Sequence, residues 1–255
     1  MRPITRLCAA FILSSGLLAC SSTPSPAPDA APEAAQPASK PASAPTTAKP
    51  DKGSKAFWDG VYDRQEYVYG VEPNVFFAEQ LAKLPVGTVL LPAEGEGRNA
   101  VWAAKAGWSV EAFDISPVAK NKAMKLAADK GAEITYNVAD FADPKLGEER
   151  FDAIGLVYAH MPPKVRDAGM KHLAAALKPG GVIILEGFSP AHIELETPFG
   201  PKSVEVLYTQ ELLRAALPGF EMLILEDAQI ELDEGYHQGK AAVIRMVARK
   251  PQAKP

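Results

Sequence analysis

The sequence of 255 residues contains few cysteines and few histidines. Both cysteines, Cys8 and Cys20, lie near the N-terminus, so the rest of the chain can form neither a disulfide nor a thiolate metal site. The four histidines show no close metal-ligand spacing, which argues against a catalytic metal. We therefore expect an enzyme or binding protein without a metal.

The sequence also contains no excess of basic over acidic residues. The formal net charge is -4, and lysine and arginine form no obvious cluster along the sequence. Because nucleic-acid-binding proteins neutralise phosphates with basic patches, we expect no nucleic-acid partner. The hydrophobic fraction of 47% is enough for one full-sized domain with appendages.

The apolar stretch near the N-terminus is too short to span a bilayer. It covers residues 7–18, follows Arg2 and Arg6, and ends in small residues, as secretory signals do. Its end, LLAC at residues 17–20, resembles a bacterial lipobox, which implies cleavage before Cys20 and acylation of that cysteine. An ordinary cleaved signal with an incidental cysteine is the alternative.

The first 54 residues are therefore predicted to consist of a signal peptide and a tether. We predict a signal peptide over residues 1–19 and a lipoprotein anchored through Cys20 to a membrane of the bacterial cell envelope, on its periplasmic or outer face. Residues 20–54 are mostly Pro, Ala, Ser and Thr, which cannot bury enough surface to fold, so we expect a disordered tether.

From residue 55 onward, strand-like and helix-like segments alternate. Strands spaced by helices imply a parallel sheet with helices on both faces, and the turn at residues 233–235 leaves no room for a helix, so the last strand should be antiparallel. We predict a doubly wound α/β domain over residues 55–250 with a mostly parallel seven-stranded sheet. The predicted strands are residues 88–91, 109–113, 133–137, 151–157, 181–187, 222–232 and 241–248, and the predicted helices are residues 99–105, 117–130 and 163–177.

A glycine loop joins the first strand to the next helix, in AEGEGRNAVW at residues 93–102. Ligands of such sheets bind beyond the carboxyl ends of the strands, and Gly95 and Gly97 would allow close backbone approach there. Asp114, at the end of the second strand and followed by Ile115, could accept both hydroxyls of a ribose. A helix cap is the alternative role for Asp114.

Asp140 and Phe141 follow the third strand and suit an adenine. The carboxylate could accept the exocyclic amine while the ring packs alongside. The glycine spacing also fits the dinucleotide fingerprint. However, Glu94 and Glu96 would repel a pyrophosphate at the helix N-terminus and tolerate a sulfonium and an ammonium. S-adenosylmethionine therefore fits better than NAD, unless both glutamates are merely solvated loop charges.

Seven motifs between residues 58 and 249 carry a family resemblance. They are EYVYGVEPN (66–74), AEGEGRNAV (93–101), VEAFDISP (110–117), NVADF (137–141), VYAHMPPKVR (157–166), LKPGG (177–181) and EGYHQGKAAV (234–243). Together they are similar to class I S-adenosylmethionine-dependent methyltransferases, and within these to the bacterial tellurite-resistance and thiopurine methyltransferase group.

The resemblance implies a Rossmann-like methyltransferase fold, S-adenosyl-L-methionine as cofactor, and a reaction centre near the end of the fourth strand. An acid frequent in the superfamily is replaced here by Ala93, for which Glu94 is the substitute, and the third glycine is replaced by Asn99. The predicted cofactor-binding residues are Glu94, Gly95, Gly97, Asp114, Ile115, Asp140, Phe141 and Val157.

His160 is the predicted catalytic residue, because it lies just past Val157 and an oxygen or nitrogen acceptor needs a base. A thiolate or a chalcogen oxyanion needs none, and His160 could instead only order the turn that follows. Residues 189–206 lack a clear period and could form a substrate lid.

The predicted substrate residues are mainly aromatic. Arg166 could meet an anionic acceptor or be a solvated first-turn arginine, and the aromatic residues could be ordinary packing. His192 and Phe199 could face the pocket from the lid, and His237 has no assigned role. The substrate residues are Trp58, Tyr69, Tyr158 and Arg166.

Three functions remain open from the sequence. The first is methyl transfer to a small-molecule acceptor, a thiol, chalcogen oxyanion or similar compound, by a membrane-tethered lipoprotein. The second is an exported module that binds S-adenosylmethionine or a nucleoside without turnover, because the cofactor is made inside the cell. The third and weakest is an NAD(P)-dependent oxidoreductase. The oligomeric state is not predicted.

Overall fold

The computed structural model describes residues 50–252. The predicted signal peptide, the lipidation site Cys20 and the tether up to residue 49 lie outside the described residues. Within residues 50–252, no helix combines the length and apolar character needed to cross a membrane.

The described part of the chain forms one seven-stranded sheet with helices on both faces. Its strands are β1 (Thr88–Pro92), β2 (Ser109–Asp114), β3 (Thr135–Val138), β4 (Phe151–Val157), β5 (Leu177–Phe188), β6 (Glu221–Glu234) and β7 (His237–Arg249). Its helices are α1 (Lys55–Tyr62), α2 (Val75–Leu81), α3 (Arg98–Lys105), α4 (Pro117–Lys130), α5 (Pro163–Ala176), α6 (Ala191–Glu194) and α7 (Gln210–Ala216), with a 3-10 turn at Val204–Val206.

The strand order is β3-β2-β1-β4-β5-β7-β6. The first five strands are parallel, while β7 runs antiparallel to both β5 and β6. This arrangement confirms the predicted fold class. The order reverses between β1 and β4, so the carboxyl ends of these strands form the switch point where ligands of such sheets bind.

Local sequence explains where the helices begin and end. The Ser116 hydroxyl accepts a hydrogen bond from the Ala119 N–H and caps α4, Pro117 occupies its first turn, and Gly131 ends it at a φ of 62°. The predicted α4 has the observed bounds, and α3 and α5 agree within a residue. Helices α1, α2, α6 and α7 were not predicted. They are as short as α3 or shorter, but they lack the strand and glycine loop that precede α3 and indicate its start.

Two differences concern the strands. β3 begins at Thr135 rather than at residue 133, and β5, β6 and β7 are longer than predicted. The extended hairpin reaches the segment before α2, where the Tyr236 N–H donates a hydrogen bond of 2.8 Å to the Val68 carbonyl. The two ends of the domain therefore meet beside the switch point.

Candidate active site

The loop between β1 and α3 is shaped by its own packing. Gly95 and Gly97 have φ values of 64° and 90°, in the left-handed region. A Cβ on Gly97 would lie 2.7 Å from the Cβ of Ala123 in α4, and one on Gly95 would lie 2.8 Å from the hydroxyl of Tyr62 in α1. Both glycines are therefore required for the loop to fit between two helices.

Glu94 is turned inward toward the start of α3. Its carboxylate accepts hydrogen bonds from the Ala100 N–H at 2.8 Å and from Asn99 Nδ2 at 3.3 Å. Burial raises its pKa to about 7. Asn99, which stands where relatives often have glycine, thus has a structural role in orienting this carboxylate.

Glu96 ties the loop to two other segments. Its carboxylate accepts a hydrogen bond of 2.6 Å from the Val68 N–H and forms an ion pair of 2.5 Å with Lys122 of α4. Because Glu94 and Glu96 are only 9% and 4% exposed, the alternative that they are solvated loop charges does not hold.

Asp114 is positioned by the loop and by the start of α4. One carboxylate oxygen accepts from the Gly95 N–H at 3.1 Å and the other from the Ser116 N–H at 2.9 Å. Since Ser116 provides the side-chain cap of α4, Asp114 is not needed for that role. Burial raises the Asp114 pKa to about 6.

The Asp114 carboxylate also retains capacity for a ligand. A carboxylate offers about four acceptor positions, and backbone donors occupy only two of them here. The two remaining positions suit the paired hydroxyls of a ribose. This chemistry fits the nucleoside part of S-adenosylmethionine.

Helix α1 covers this end of the sheet, and of its residues only Trp58 was predicted from the sequence to contribute to the site, as a substrate residue. Tyr62 is buried against Gly95, and Trp58 stacks on Tyr62 at 5.6 Å. Asp59 accepts a hydrogen bond of 2.6 Å from the Ser116 hydroxyl. The spacing of Trp58 and Tyr62, one turn apart, was the available signal, because it places both rings on one helix face. Trp58 thus packs beside the glycine loop.

Asp140 and Phe141 form the turn after β3. Asp140 is exposed and accepts from the Ala142 N–H at 2.8 Å, while the Ala139 N–H donates to the Asp114 carbonyl and holds this turn beside β2. Phe141 is buried against α5, where a Cβ on Gly169 would overlap its ring. The packing of the Phe141 ring against α5 holds this turn in place.

Ile115 and Val157 complete the rim of the switch point. Both are half-buried, Ile115 directly after β2 and Val157 at the end of β4, where it pairs with Glu186 of β5. The structure therefore brings the strand-end cofactor candidates to one edge of the sheet, as the predicted parallel order requires.

The electrostatics of this edge suit a cation. Two basic side chains beside the loop are already paired, Lys122 with Glu96 and Arg98 with Glu234 at 2.7 Å. A pyrophosphate at the loop would therefore meet carboxylates while these two cations are engaged. A sulfonium and an ammonium fit these buried acids better.

A buried polar network connects the loop to the far strands. Asn74 donates its side-chain N–H groups to Glu186 at 2.6 Å and Glu234 at 3.2 Å, and its backbone N–H to Asn99 at 2.9 Å. Glu186 also pairs with Arg245 at 2.7 Å. The sequence signal for this network was a charge inside each of two apolar strands, since buried charges need partners.

An aromatic cluster lies past the ends of β4 and β5. Ring centroids are 4.7 Å apart for Tyr158 and Phe188, 4.6 Å for Tyr69 and His237, and 5.2 Å for Phe199 and His237. The Tyr158 hydroxyl donates to Glu186 at 2.9 Å. We define the aromatic cluster as Tyr69, Tyr158, Phe188, His192, Phe199 and His237.

His160 is held by backbone at both ring nitrogens. Nε2 accepts from the Phe188 N–H at 3.0 Å, so Nδ1 carries the proton and donates to the Val206 carbonyl at 2.9 Å. Burial lowers its pKa to about 4, which keeps the ring neutral. This geometry leaves no nitrogen for a substrate proton and favours the alternative that His160 orders the turn.

Arg166 is neither solvated nor free. It is 6% exposed and donates to the Glu205 carbonyl at 3.0 Å and to Asp167 at 3.2 Å. It thereby ties α5 to the segment 189–206. That segment brings His192 and Phe199 into contact with Phe188, and its role as a substrate lid stays a prediction.

Comparison with known proteins agrees with this geometry. Residues 89–181 match the family model described as a methyltransferase domain. A structure described as the conversion of a disulfide bond into a thioacetal group during echinomycin biosynthesis has a TM-score of 0.65 and 22% identity, covering 78% of this chain and 93% of that chain. No curated protein matches the sequence.

Two further solved structures share the fold. An S-adenosylmethionine-dependent methyltransferase from Methanosarcina mazei has a TM-score of 0.58 and 18% identity, covering 71% of this chain and 99% of that chain. TehB from Haemophilus influenzae has a TM-score of 0.57 and 16% identity, covering 77% of this chain and 66% of that chain.

These findings confirm the enzyme class and the cofactor that the sequence predicts. Residues 89–181 carry a methyltransferase domain. The solved structures that share the fold include S-adenosylmethionine-dependent methyltransferases. The narrower resemblance to the tellurite-resistance group stays a prediction, because TehB at 16% identity shares only the fold.

Proposed function

We propose that the protein transfers the methyl group of S-adenosylmethionine to a small, apolar acceptor with a soft nucleophile, of which a thiol is the best match. We further propose that Cys20 anchors it to a membrane of the bacterial cell envelope. The observation that carries the acceptor proposal is the pairing of Arg98 and Arg245, beside the aromatic cluster, with Glu234 and Glu186.

An oxyanion acceptor would need an unpaired cation in this place. Arg98 is paired with Glu234 and Arg245 with Glu186, both at 2.7 Å. The Arg166 guanidinium donates a hydrogen bond to the Glu205 carbonyl. Recruiting Arg245 would leave the buried Glu186 carboxylate without its ionic partner, and recruiting Arg98 would do the same to the half-buried Glu234 carboxylate, which is costly. Among the acceptors left open by the sequence, a thiol is therefore favoured over a tellurium or selenium oxyanion.

The occupied nitrogens of His160 also favour an acceptor that needs no general base, because neither nitrogen is left to take a proton. A thiolate needs no strong base, so the chain's contribution is to align the reactants and to exclude water. The bound cofactor supplies an electrophilic methyl group on a cationic sulfonium. Asp114 is suited to hold its ribose, while Gly95 and Gly97 bring the backbone close and Tyr62 covers the loop.

One structural relative supports a sulfur acceptor. The echinomycin structure concerns the conversion of a disulfide into a thioacetal, which is chemistry at sulfur. The proposal for this chain rests on its own aromatic cluster and paired arginines.

The decisive experiment is a transfer assay with radiolabelled S-adenosylmethionine against thiophenol, tellurite, selenite and catechol. We expect label in the thiophenol product and little in the others. Calorimetry with S-adenosylmethionine and NADH accompanies it, and we expect binding only of the former. Tight cofactor binding without transfer to any acceptor would instead favour the exported binding module.

The membrane proposal is tested separately with the full chain. Wild-type protein should fractionate with membranes, and Cys20→Ser should lose this association or accumulate as a longer precursor. Cys8→Ser is the matched control, since that cysteine precedes the lipobox. Wild-type protein in the soluble cytoplasmic fraction would contradict the anchor.

A further inference from the structure

His237 is a buried side chain with an unsatisfied nitrogen. It is 8% exposed, and its Nδ1 has no hydrogen-bond partner among residues 50–252. Buried polar atoms are nearly always paired, and an unpaired one lowers stability. An unpaired group in a native site therefore calls for a ligand or a function.

The other histidines of this region show that the fold can supply partners. His160 has a backbone partner at each nitrogen. His192 interacts with Thr197 and Phe199 through Nε2, and its Nδ1 accepts from the Ala242 N–H at 3.4 Å. Only at His237 does the described chain leave Nδ1 without one.

The position of His237 is well fixed. It is the first residue of β7 and pairs with Glu234 of β6, and the intervening turn is held by the Tyr236–Val68 hydrogen bond. Its ring lies against Tyr69 at 4.6 Å and Tyr158 at 5.6 Å. It therefore sits between the segment before α2 and the end of β4, beside the predicted reaction centre.

We propose that His237 binds the methyl acceptor, with Nδ1 forming a hydrogen bond to the nucleophilic atom. The inference rests on the proposed function and deepens it, because it assigns the residue that recognises the acceptor. The surrounding rings of Tyr69, Tyr158, Phe188 and Phe199 suit an aromatic or apolar acceptor such as an aryl thiol.

A neutral imidazole suits either form of a thiol. Burial and the nearby Arg98 lower the His237 pKa to about 3, so the ring is uncharged at neutral pH. Nδ1 can accept from an S–H group in one tautomer or donate to a thiolate in the other.

His237 would orient the sulfur rather than act as a strong base. The acceptor sulfur forms a bond to the methyl carbon while the bond from that carbon to the sulfonium breaks. The bonding pair stays on the cofactor's sulfur, and the thiol proton leaves to water. The hydrogen bond fixes the direction of the attacking lone pair, which is the alignment that methyl transfer requires.

The first test compares His237→Phe with His160→Phe in the full chain. Removing an unsatisfied nitrogen should leave the melting temperature of His237→Phe unchanged or higher, whereas His160→Phe should melt lower because it orphans two backbone groups. For His237→Phe, kcat/KM with thiophenol should fall about tenfold or more, while the Kd for S-adenosylmethionine stays within about twofold.

The second test does not depend on turnover. In protein saturated with the demethylated cofactor product, which cannot react, thiophenol should shift the ring NMR signals of His237. The exposed His172 is the internal control and should not shift.

The outcomes separate the two proposals. Destabilisation of His237→Phe as large as that of His160→Phe, or methylation of thiophenol without a shift at His237, would overturn the role of His237 and leave the proposed function intact. A shift at His237 without methyl transfer would overturn the proposed function and support the binding role. If thiophenol causes no shift at His237 and is not methylated, both proposals are overturned.

Discussion

His160 and His237 lie at nearly the same distance from Phe188, with ring centroids 5.5 and 5.4 Å away, but the chain treats them differently. His160 has a backbone partner at each nitrogen, whereas His237 has a buried Nδ1 without one. Burial beside a reaction centre therefore does not by itself indicate catalysis. The informative property is whether the fold has already used the group's hydrogen-bonding capacity.

Asp114 stands between these extremes. The fold fills two acceptor positions of its carboxylate and leaves the others for a ligand. Glu186 resembles His160, since it is bound by Asn74, Tyr158 and Arg245. The hydrogen-bonding capacity that the fold uses decreases along a series of four residues, from Glu186 and His160 through Asp114 to His237. Substitutions along this series should change from mainly destabilising the fold to mainly impairing function.

The largest effect is expected for Arg245→Met. It leaves the buried Glu186 carboxylate without its ionic partner, and the free energy of unfolding should fall by about 3–5 kcal/mol. Denaturant unfolding measures this loss. Arg249→Met is the control, because its ion pair with Glu221 is exposed, and it should cost less than about 1 kcal/mol. Equal losses would show that the Glu186 network is not a structural element.

The next effect is expected for His160→Phe. The Phe188 N–H and the Val206 carbonyl would each lose a partner, which should lower the free energy of unfolding by about 2–4 kcal/mol. Activity per folded molecule should change little. A drop in kcat of about 100-fold or more at unchanged stability would restore His160 as the general base.

Asp114→Asn should act mainly on the ligand. The amide is uncharged and cannot accept at both positions, so S-adenosylmethionine binding should weaken by about 1.5–3 kcal/mol. Calorimetric titration gives the Kd, and Asp140→Asn is the comparison at the exposed adenine-side candidate. An unchanged Kd in Asp114→Asn would contradict its ribose-binding role.

The smallest effect concerns pH. Burial raises the Asp114 pKa to about 6, with Asp59 of α1 adding to the rise, so the carboxylate is protonated below this pH. If the ligand needs the ionised form, affinity should increase with pH by about fivefold between pH 5 and 6, by about tenfold between pH 5 and 7, and level off above 7. Titrations at several pH values test this. The slope should disappear in Asp114→Asn, and a slope that persists there would assign it to Glu94, whose pKa is about 7.

Local sequence patterns explain why the cofactor half of the site was predictable. The glycine loop, Asp114 and the bounds of α4 depend on neighbours in sequence and on the parallel order of the strands. Even here, the partners of Glu96 were hidden, because Val68 and Lys122 come from two other segments. The sequence showed that acids crowd the loop but not that the fold buries and pairs them.

The acceptor half depends on contacts that no local pattern reveals. Asn74 reaches Glu186 across 112 residues and Glu234 across 160. Whether His160 or His237 keeps a free nitrogen depends on the backbone of strands β5 and β7. For that reason the sequence pointed to His160, which lies beside the fourth strand, and left His237 unassigned.

The contact between the Tyr236 turn and Val68 also has a consequence for synthesis of the protein. A ribosome completes the glycine loop and Asp114 before it has made half of the chain, but β7 ends only at Arg249. A nascent or truncated chain therefore has the elements of the cofactor half while Asn74 still lacks Glu186 and Glu234. We therefore expect the enzyme to be inactive until its last strand has been translated, and a chain that terminates before β7 to have no partial activity.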